Sequence, residues 1–222
     1  MQLVETAIVE TSTRLQSDTP IDWNQMLNLI HLTSMEKSLK NQYLNASNLS
    51  SRIQLHQLYS QNKKGWFPWI FEHIELPTQA TVLEIGCGDG SFWTSNYDQI
   101  PENTSIILSD ISDGMLRDAR RTIGPEDSRF TYENFDCHAI PYQDQSFDYV
   151  IANHVLFYCE DIPGVCEEIA RVLKPGGIFL CTTYGANHLK EIRQLVHEFD
   201  ERIMLSAQNL YERFGCGNGT QI

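Results

Sequence analysis

Val82-Leu83-Glu84-Ile85-Gly86-Cys87-Gly88-Asp89-Gly90-Ser91 runs from an apolar, strand-like stretch into three glycines at alternating positions, and then into a helix-like segment. Glycines at such a turn let the backbone bend sharply and approach a ligand with no Cβ in the way. The spacing is G-x-G-x-G followed by Ser. It is not the G-x-G-x-x-G that seats a pyrophosphate at a helix N-terminus. On its own the turn is also compatible with a glycine-rich β-α connection that binds nothing.

Around this turn the chain changes character. From about 80 to 184, short runs rich in β-branched and other apolar residues are expected as strands at 81–85, 105–109, 129–134, 147–152 and 177–183. Helix-like segments separate them at 90–99, 113–123 and 162–173. Strands alternating with helices predict right-handed β-α-β crossovers and a parallel sheet. Residues 1–78 are polar and helix-like and predict an N-terminal helical cap. Its features are a helix start at 19–22, the apolar positions Leu27, Ile30 and Met35, and a second helix opening near Ser50. The aromatic-dense run from Gly65 to Phe71 is expected to pack against the strand-and-helix region. Residues 185–222 predict a helical C-terminal segment, with Leu189, Ile192, Val196, Phe199 and Ile203 at spacings of three and four.

The strand ends carry the chemistry. Glu84, two residues before Gly86, would set a carboxylate beside the turn; that suits a cationic ammonium, such as the methionine end of S-adenosylmethionine (SAM), and suits a pyrophosphate poorly. A local hydrogen bond to the backbone is the alternative. Asp110, 24 residues after Gly86, ends the second predicted strand, where a carboxylate can accept from both ribose hydroxyls. Asp136, followed by Cys137, ends the third and can accept from an adenine amino group; a surface aspartate capping a turn is the plainer reading. Leu173-Lys174-Pro175-Gly176-Gly177 reads as a helix stop and turn before a buried strand, with no ligand implied.

Bulk composition narrows the classes. Of 222 residues, 41% are hydrophobic and 20% charged, an ordinary globular profile. The formal charge of −13 opposes a nucleic-acid partner, and Arg117, Arg120 and Arg121 are interleaved with Asp113 and Asp118 as on a solvated helix face. The first residues lack the apolar core of a secretory signal, and the longest apolar run, 149–158, is too short to span a bilayer. Neither a membrane role nor a nucleic-acid role is expected. Six scattered cysteines without a C-x-x-C pair read as free thiols in a reducing cytoplasm, and no metal is expected.

The segments VLEIGCGDGSFW (82–93), SDISDGML (109–116), FDCHAIPYQDQSFDYVIANHVLFY (135–158) and RVLKPGGIF (171–179) together resemble the class I SAM-dependent methyltransferases, in particular their ubiquinone/menaquinone-biosynthesis-like small-molecule group. The resemblance implies an α/β, Rossmann-like doubly wound parallel sheet in residues 79–184, in strand order 3-2-1-4-5. It also implies an enzyme that moves the methyl group of SAM to a small molecule by in-line displacement. Glu84, Gly86, Cys87, Gly88 and Gly90 would line the methionine side. Asp110, Ile111 and Met115 would hold the ribose and adenine, and Asp136 with Cys137 the adenine edge. Asn153 would sit beside the methyl, with Tyr59 and Trp66 over the mouth. His154 is a weak candidate for a general base, needed only if the acceptor must lose a proton; packing under a lid is its alternative. The sequence from Asn153 to Leu156 is not the Asn/Asp-Pro-Pro-aromatic clamp of amino-methylating enzymes.

Such domains usually continue with two more strands, in order 3-2-1-4-5-7-6, and nothing strand-like comes after Thr183. That departure leads to the expectation of a truncated domain whose fifth strand is an exposed edge open to self-association, or of an edge covered by another chain or by residues 1–60. Two rival functions remain: a non-catalytic SAM-binding domain, or, with less support, an NAD-dependent oxidoreductase, which offers no use for Asp136. The acceptor molecule and atom are not readable from the sequence.

Overall fold

A computed structural model describes residues 58, 63–183, 194, 195, 197 and 198. The expectations on residues 19–22, Leu27, Ile30, Met35, the helix near Ser50, Tyr59, Leu189, Ile192, Val196, Phe199, Ile203 and Cys216 lie outside the described residues.

Five strands, β1 (Thr81–Ile85), β2 (Ser105–Ser109), β3 (Phe130–Glu133), β4 (Phe147–Asn153) and β5 (Leu173–Thr182), form one parallel sheet in the order β3-β2-β1-β4-β5. Among residues 63–183, α1 (Trp66–Phe71), α2 (Ser91–Thr94), α3 (Asp113–Ile123) and α4 (Ile162–Val172) accompany it. The sheet grows outward from β1 to β2 and β3, then resumes on the other side with β4 and β5. The order reverses between β1 and β4, the point at which open α/β sheets bind their ligands, outside the carboxyl ends of the strands.

Alternation along β1 divides the interior into two cores. Val82 faces Phe92, Trp93, Ile106 and Leu108, joined by Ile70 and Phe71 of α1. Leu83 and Ile85 face Val150, Ala152 and the inner side of α4, with Val165, Ile169 and Val172. A strand buried on both faces reads as an almost continuous apolar run, as 81–85 does. The two longer helices start on side-chain caps: Ser112 Oγ accepts from Met115 N at 3.3 Å, and Asp161 Oδ1 from Gly164 N at 3.0 Å.

Several boundaries differ from the sequence reading. The helix expected over 90–99 is the four-residue α2 followed by a 3-10 turn, Tyr97–Gln99. Buried Asn96 interrupts it: its Nδ2 donates to Phe92 O at 2.7 Å and to Phe67 O at 3.3 Å, and its side chain takes over a carbonyl that a continuing helix would use. β3 is one residue shorter at each end, with Arg129 drawn into a turn whose Asp127 accepts from its backbone N–H at 3.0 Å. β5 is less buried than expected. It is one of the two outer strands among the described residues, and Ile178 is 38% exposed. Its register on β4 slips between Phe147↔Leu173 and Tyr149↔Ile178, where the Lys-Pro-Gly-Gly segment bulges out. No helix among the described residues is long and apolar enough to cross a membrane.

Candidate active site

The parity of β1 places Glu84 on the Val82 face, under α2. Its side chain is 1% exposed. Trp93 Nε1 donates to Oε2 at 2.6 Å, and Asn153 Nδ2, from the end of β4, donates to Oε1 at 3.2 Å. Burial pushes the Glu84 carboxyl up to about 8; the hydrogen bonds from Trp93 and Asn153 oppose this, and the charges of Asp110 and Asp89 add to it. At neutral pH it is therefore largely protonated. Glu84 does not present an open carboxylate to the turn. It lies beneath it and ties β1 to β4.

The glycine turn runs over this buried acid. Gly86, Gly88 and Gly90 all have positive φ, at 65°, 56° and 75°. A Cβ on Gly86 would stand 2.4 Å from Val155 Cγ2, so the turn can approach the loop after β4 only without a side chain there. Three hydrogen bonds fasten the turn to the end of β2. Cys87 N donates to Ser109 O at 2.9 Å, Gly88 N to Asp110 Oδ2 at 3.1 Å, and Ser109 Oγ to Glu84 O at 3.0 Å. The other oxygen of Asp110 accepts from Ser112 N at 2.9 Å. Burial raises the Asp110 carboxyl, against the pull of the Ser112 and Gly88 amides. A carboxylate has about four acceptor positions, and two of them remain open.

Beyond Asp110, Ile111 is 71% exposed while Met115 is 1% exposed, so the start of α3 offers an apolar surface through Ile111 and keeps Met115 packed beneath. Asp136 lies in the loop after β3. Its Oδ1 accepts from His138 N at 2.9 Å and pairs with His138 Nδ1 at 2.5 Å. The backbone and ring of His138 hold the Asp136 carboxyl below its ordinary range, and the carboxylate in turn raises the imidazole. Cys137 Sγ is 3.6 Å from Cys159 Sγ. A hydrogen bond to Cys159 and burial push the Cys137 thiol up. At the β4 end, His154 takes φ 55°. Its backbone N–H donates to Thr182 Oγ1 at 3.1 Å, and its ring stacks on Trp66 with centroids 5.3 Å apart and planes at 20°.

Hydrogen bonds and contacts thus join Glu84, Gly86, Cys87, Gly88, Asp110 and Asn153 in one network, with Gly90 at the start of α2. Trp66 and His154 form a pair beside it. Among the described residues no hydrogen bond links Asp136 to Glu84 or Asp110; Asp136, Cys137, His138 and Cys159 form a second cluster. Sequence reasoning missed Trp93, Val155, His138 and Cys159. The i+2 parity of β1 and the bulk of Trp93 just past the turn are the signals that could have paired Trp93 with Glu84.

Residues 83–181 match the family model described as a methyltransferase domain. The malonyl-[acyl-carrier protein] O-methyltransferase of Enterobacter lignolyticus is 32% identical over 126 residues, covering 55% of this chain and 46% of the relative. The demethylmenaquinone methyltransferase of Shouchella clausii is 26% identical over 154 residues, covering 69% and 66%. The chain therefore spans less than two thirds of either relative. Among solved structures, the Haemonchus contortus phosphoethanolamine N-methyltransferase 2 in complex with SAM superimposes with a TM-score of 0.50 at 25% identity, over 67% of this chain and 36% of that one. A chain from the complex of the Haloferax volcanii Trm112 methyltransferase activator gives 0.53 at 23%, over 77% and 74%, a likeness of fold. The sheet order, the glycine turn clamped by Asp110 and the family match together give residues 83–181 the likeness of an S-adenosylmethionine-dependent methyltransferase domain.

Proposed function

We propose that the chain catalyses in-line transfer of a methyl group from SAM to a small or carrier-linked acceptor. The observation that carries this reading is the clamp between Gly88 N–H and Asp110. It holds the glycine turn against the second strand end and leaves acceptor positions on the carboxylate for the ribose hydroxyls. The positive φ at Gly86, Gly88 and Gly90 and the absence of side chains there suit close backbone approach to the methionine portion, and exposed Ile111 suits an adenine face.

SAM supplies an electrophilic methyl on a sulfonium. The protein's task is to align the acceptor with that methyl and exclude water. Asn153, fixed by Glu84 at the end of β4, borders the position given to the methyl. Trp66 and His154 flank the space beyond it, and His154 is the group able to take a proton from an acidic acceptor. The relatives are named for malonyl-[acyl-carrier protein] and demethylmenaquinone, which favours an acceptor of modest size. The charge of −13 weighs against a nucleic acid.

Calorimetry with SAM and with NADH tests the cofactor, and turnover of methyl-labelled SAM against candidate acceptors tests catalysis. SAM should bind and NADH should not. Asp110→Ala should weaken SAM binding by about 1.5–3 kcal/mol, the scale of hydrogen bonds to a charged acceptor. An unaltered affinity in a folded variant would remove Asp110 from the site.

A further inference from the structure

Between the end of β3 and the start of β4, residues 134–146 form neither helix nor strand. Their backbone groups have no ladder to join and are met by side chains or solvent. One side chain on α4 meets several of them. The Arg171 guanidinium, in the last turn of that helix, has five N–H donors, and all five are engaged. Nε donates to Glu168 Oε1 at 2.8 Å. Nη2 donates to Glu168 Oε2 at 2.8 Å and to Ile140 O at 3.0 Å. Nη1 donates to Tyr142 O at 2.8 Å and to Asp144 Oδ1 at 3.0 Å. Glu168 Oε2 also accepts from Ile140 N at 3.0 Å, so both backbone polar groups of Ile140 end on α4.

Ile140 adjoins the turn that carries Asp136. Ala139 N donates to Asp136 O at 3.0 Å and closes that turn. At the other end Asn134 Nδ2 donates to Ile111 O at 3.1 Å and to Asp113 Oδ1 at 2.8 Å. Asp136 therefore lies between two anchors, one on the start of α3 and one on α4. We infer that Arg171 is a positioning residue for the cofactor: through Ile140 and Tyr142 it orients the loop after β3 so that Asp136 meets the adenine amino group. The inference rests on the proposed placement of Asp136 at the adenine edge. The side chain of Ile140 is held in the core by apolar contacts alone. What the guanidinium adds is the direction of the backbone on either side of it, and that direction aims Asp136. With every N–H taken, Arg171 has no donor left for a ligand, so it acts through the loop. A lysine could not replace it, because three donors on one nitrogen cannot reproduce the planar fork.

The test uses the full chain and two probes, S-adenosylhomocysteine and its 6-deamino analogue, whose purine carries hydrogen in place of the amino group. Calorimetry gives the ratio of their affinities. The wild type should prefer the amino form by about 10–100-fold, the scale of a hydrogen bond to a charged acceptor. Asp136→Ala should lose that preference, and Arg171→Ala should lose most of it by weakening the amino form. A loss of folded protein cancels from the ratio, since both ligands report on the same folded molecules. If the alanine variant does not fold, Arg171→Lys carries the test: it keeps a positive charge beside Glu168 but cannot span Ile140 O and Tyr142 O, and the preference should fall in the same direction. A folded Arg171 variant that keeps the wild-type preference, where Asp136→Ala loses it, overturns the proposal alone. An Asp136→Ala chain that keeps it overturns the adenine-edge reading and the proposal with it.

Discussion

Glu84 sits in a central strand where an apolar side chain would normally be, and its chemistry follows from that position. The carboxyl has an ordinary value of 4.5 and is pushed up to about 8 when folded. Between those values the folded chain holds a proton that the unfolded chain has released. Stability contributed by the protonated acid is thus complete below about 4.5, declines as pH rises toward 8, and is lost above it. Each unit of difference is worth about 1.4 kcal/mol, so the decline is on the order of a few kcal/mol. Glu84→Gln is uncharged at every pH and keeps an acceptor for Trp93. Urea midpoints across the window from weakly acidic to weakly alkaline pH should fall more steeply for the wild type than for this variant. Parallel profiles would mean that Glu84 ionises in the folded state at no cost. Asn153 shares the carboxyl, so the same proton helps to set the position of the side chain assigned to the methyl.

At the scale of elements, the β1 turn and the loop after β4 meet at the point where the strand order reverses. Gly86→Ala meets two obstacles, a φ of 65° and a Cβ 2.4 Å from Val155 Cγ2. Backbone strain of this kind costs about 1–3 kcal/mol, and the clash adds to it. The variant should lose stability and SAM affinity together. Adding Val155→Ala should restore part of the affinity by relieving the clash, while the strain stays. If the double variant binds SAM no better than the single one, the two segments do not share the contact. The elements themselves are largely legible. β1, β2 and α3 match the sequence reading residue for residue, because each is a short, strongly patterned run bounded by a turn residue or a cap. The 90–99 helix does not, since its break depends on Asn96 reaching Phe67 O, 29 residues away. Site legibility divides the same way. The three glycines act through local turn chemistry that the sequence displays, and Asp110 is legible as the residue that ends a strand, though its bond to Gly88 spans 22 residues. The burial of Glu84 and the pairing of Cys137 with Cys159 depend on partners brought in by β4, which no local pattern announces.

Over the whole molecule, charge connects the fold to the cofactor. The chain carries −13, and Asp89 and Asp110 lie at the turn itself. SAM is a net monocation at neutral pH, with a sulfonium, an ammonium and one carboxylate, whereas the product left after methyl transfer has no net charge. An acidic surface favours the first over the second through long-range attraction, which salt screens. Raising ionic strength from about 0.01 M to about 1 M shortens the screening length from about 30 Å to about 3 Å. Over that range SAM affinity should fall several-fold, while affinity for the demethylated product, S-adenosylhomocysteine, should change little. The short-range hydrogen bonds proposed for Asp110 would be common to both ligands, so the difference in slope isolates the field from the contacts. Calorimetric titrations of the two ligands in matched salt series would read it directly. Equal slopes would place the discrimination between cofactor and product in local contacts, with no part for the acidic surface.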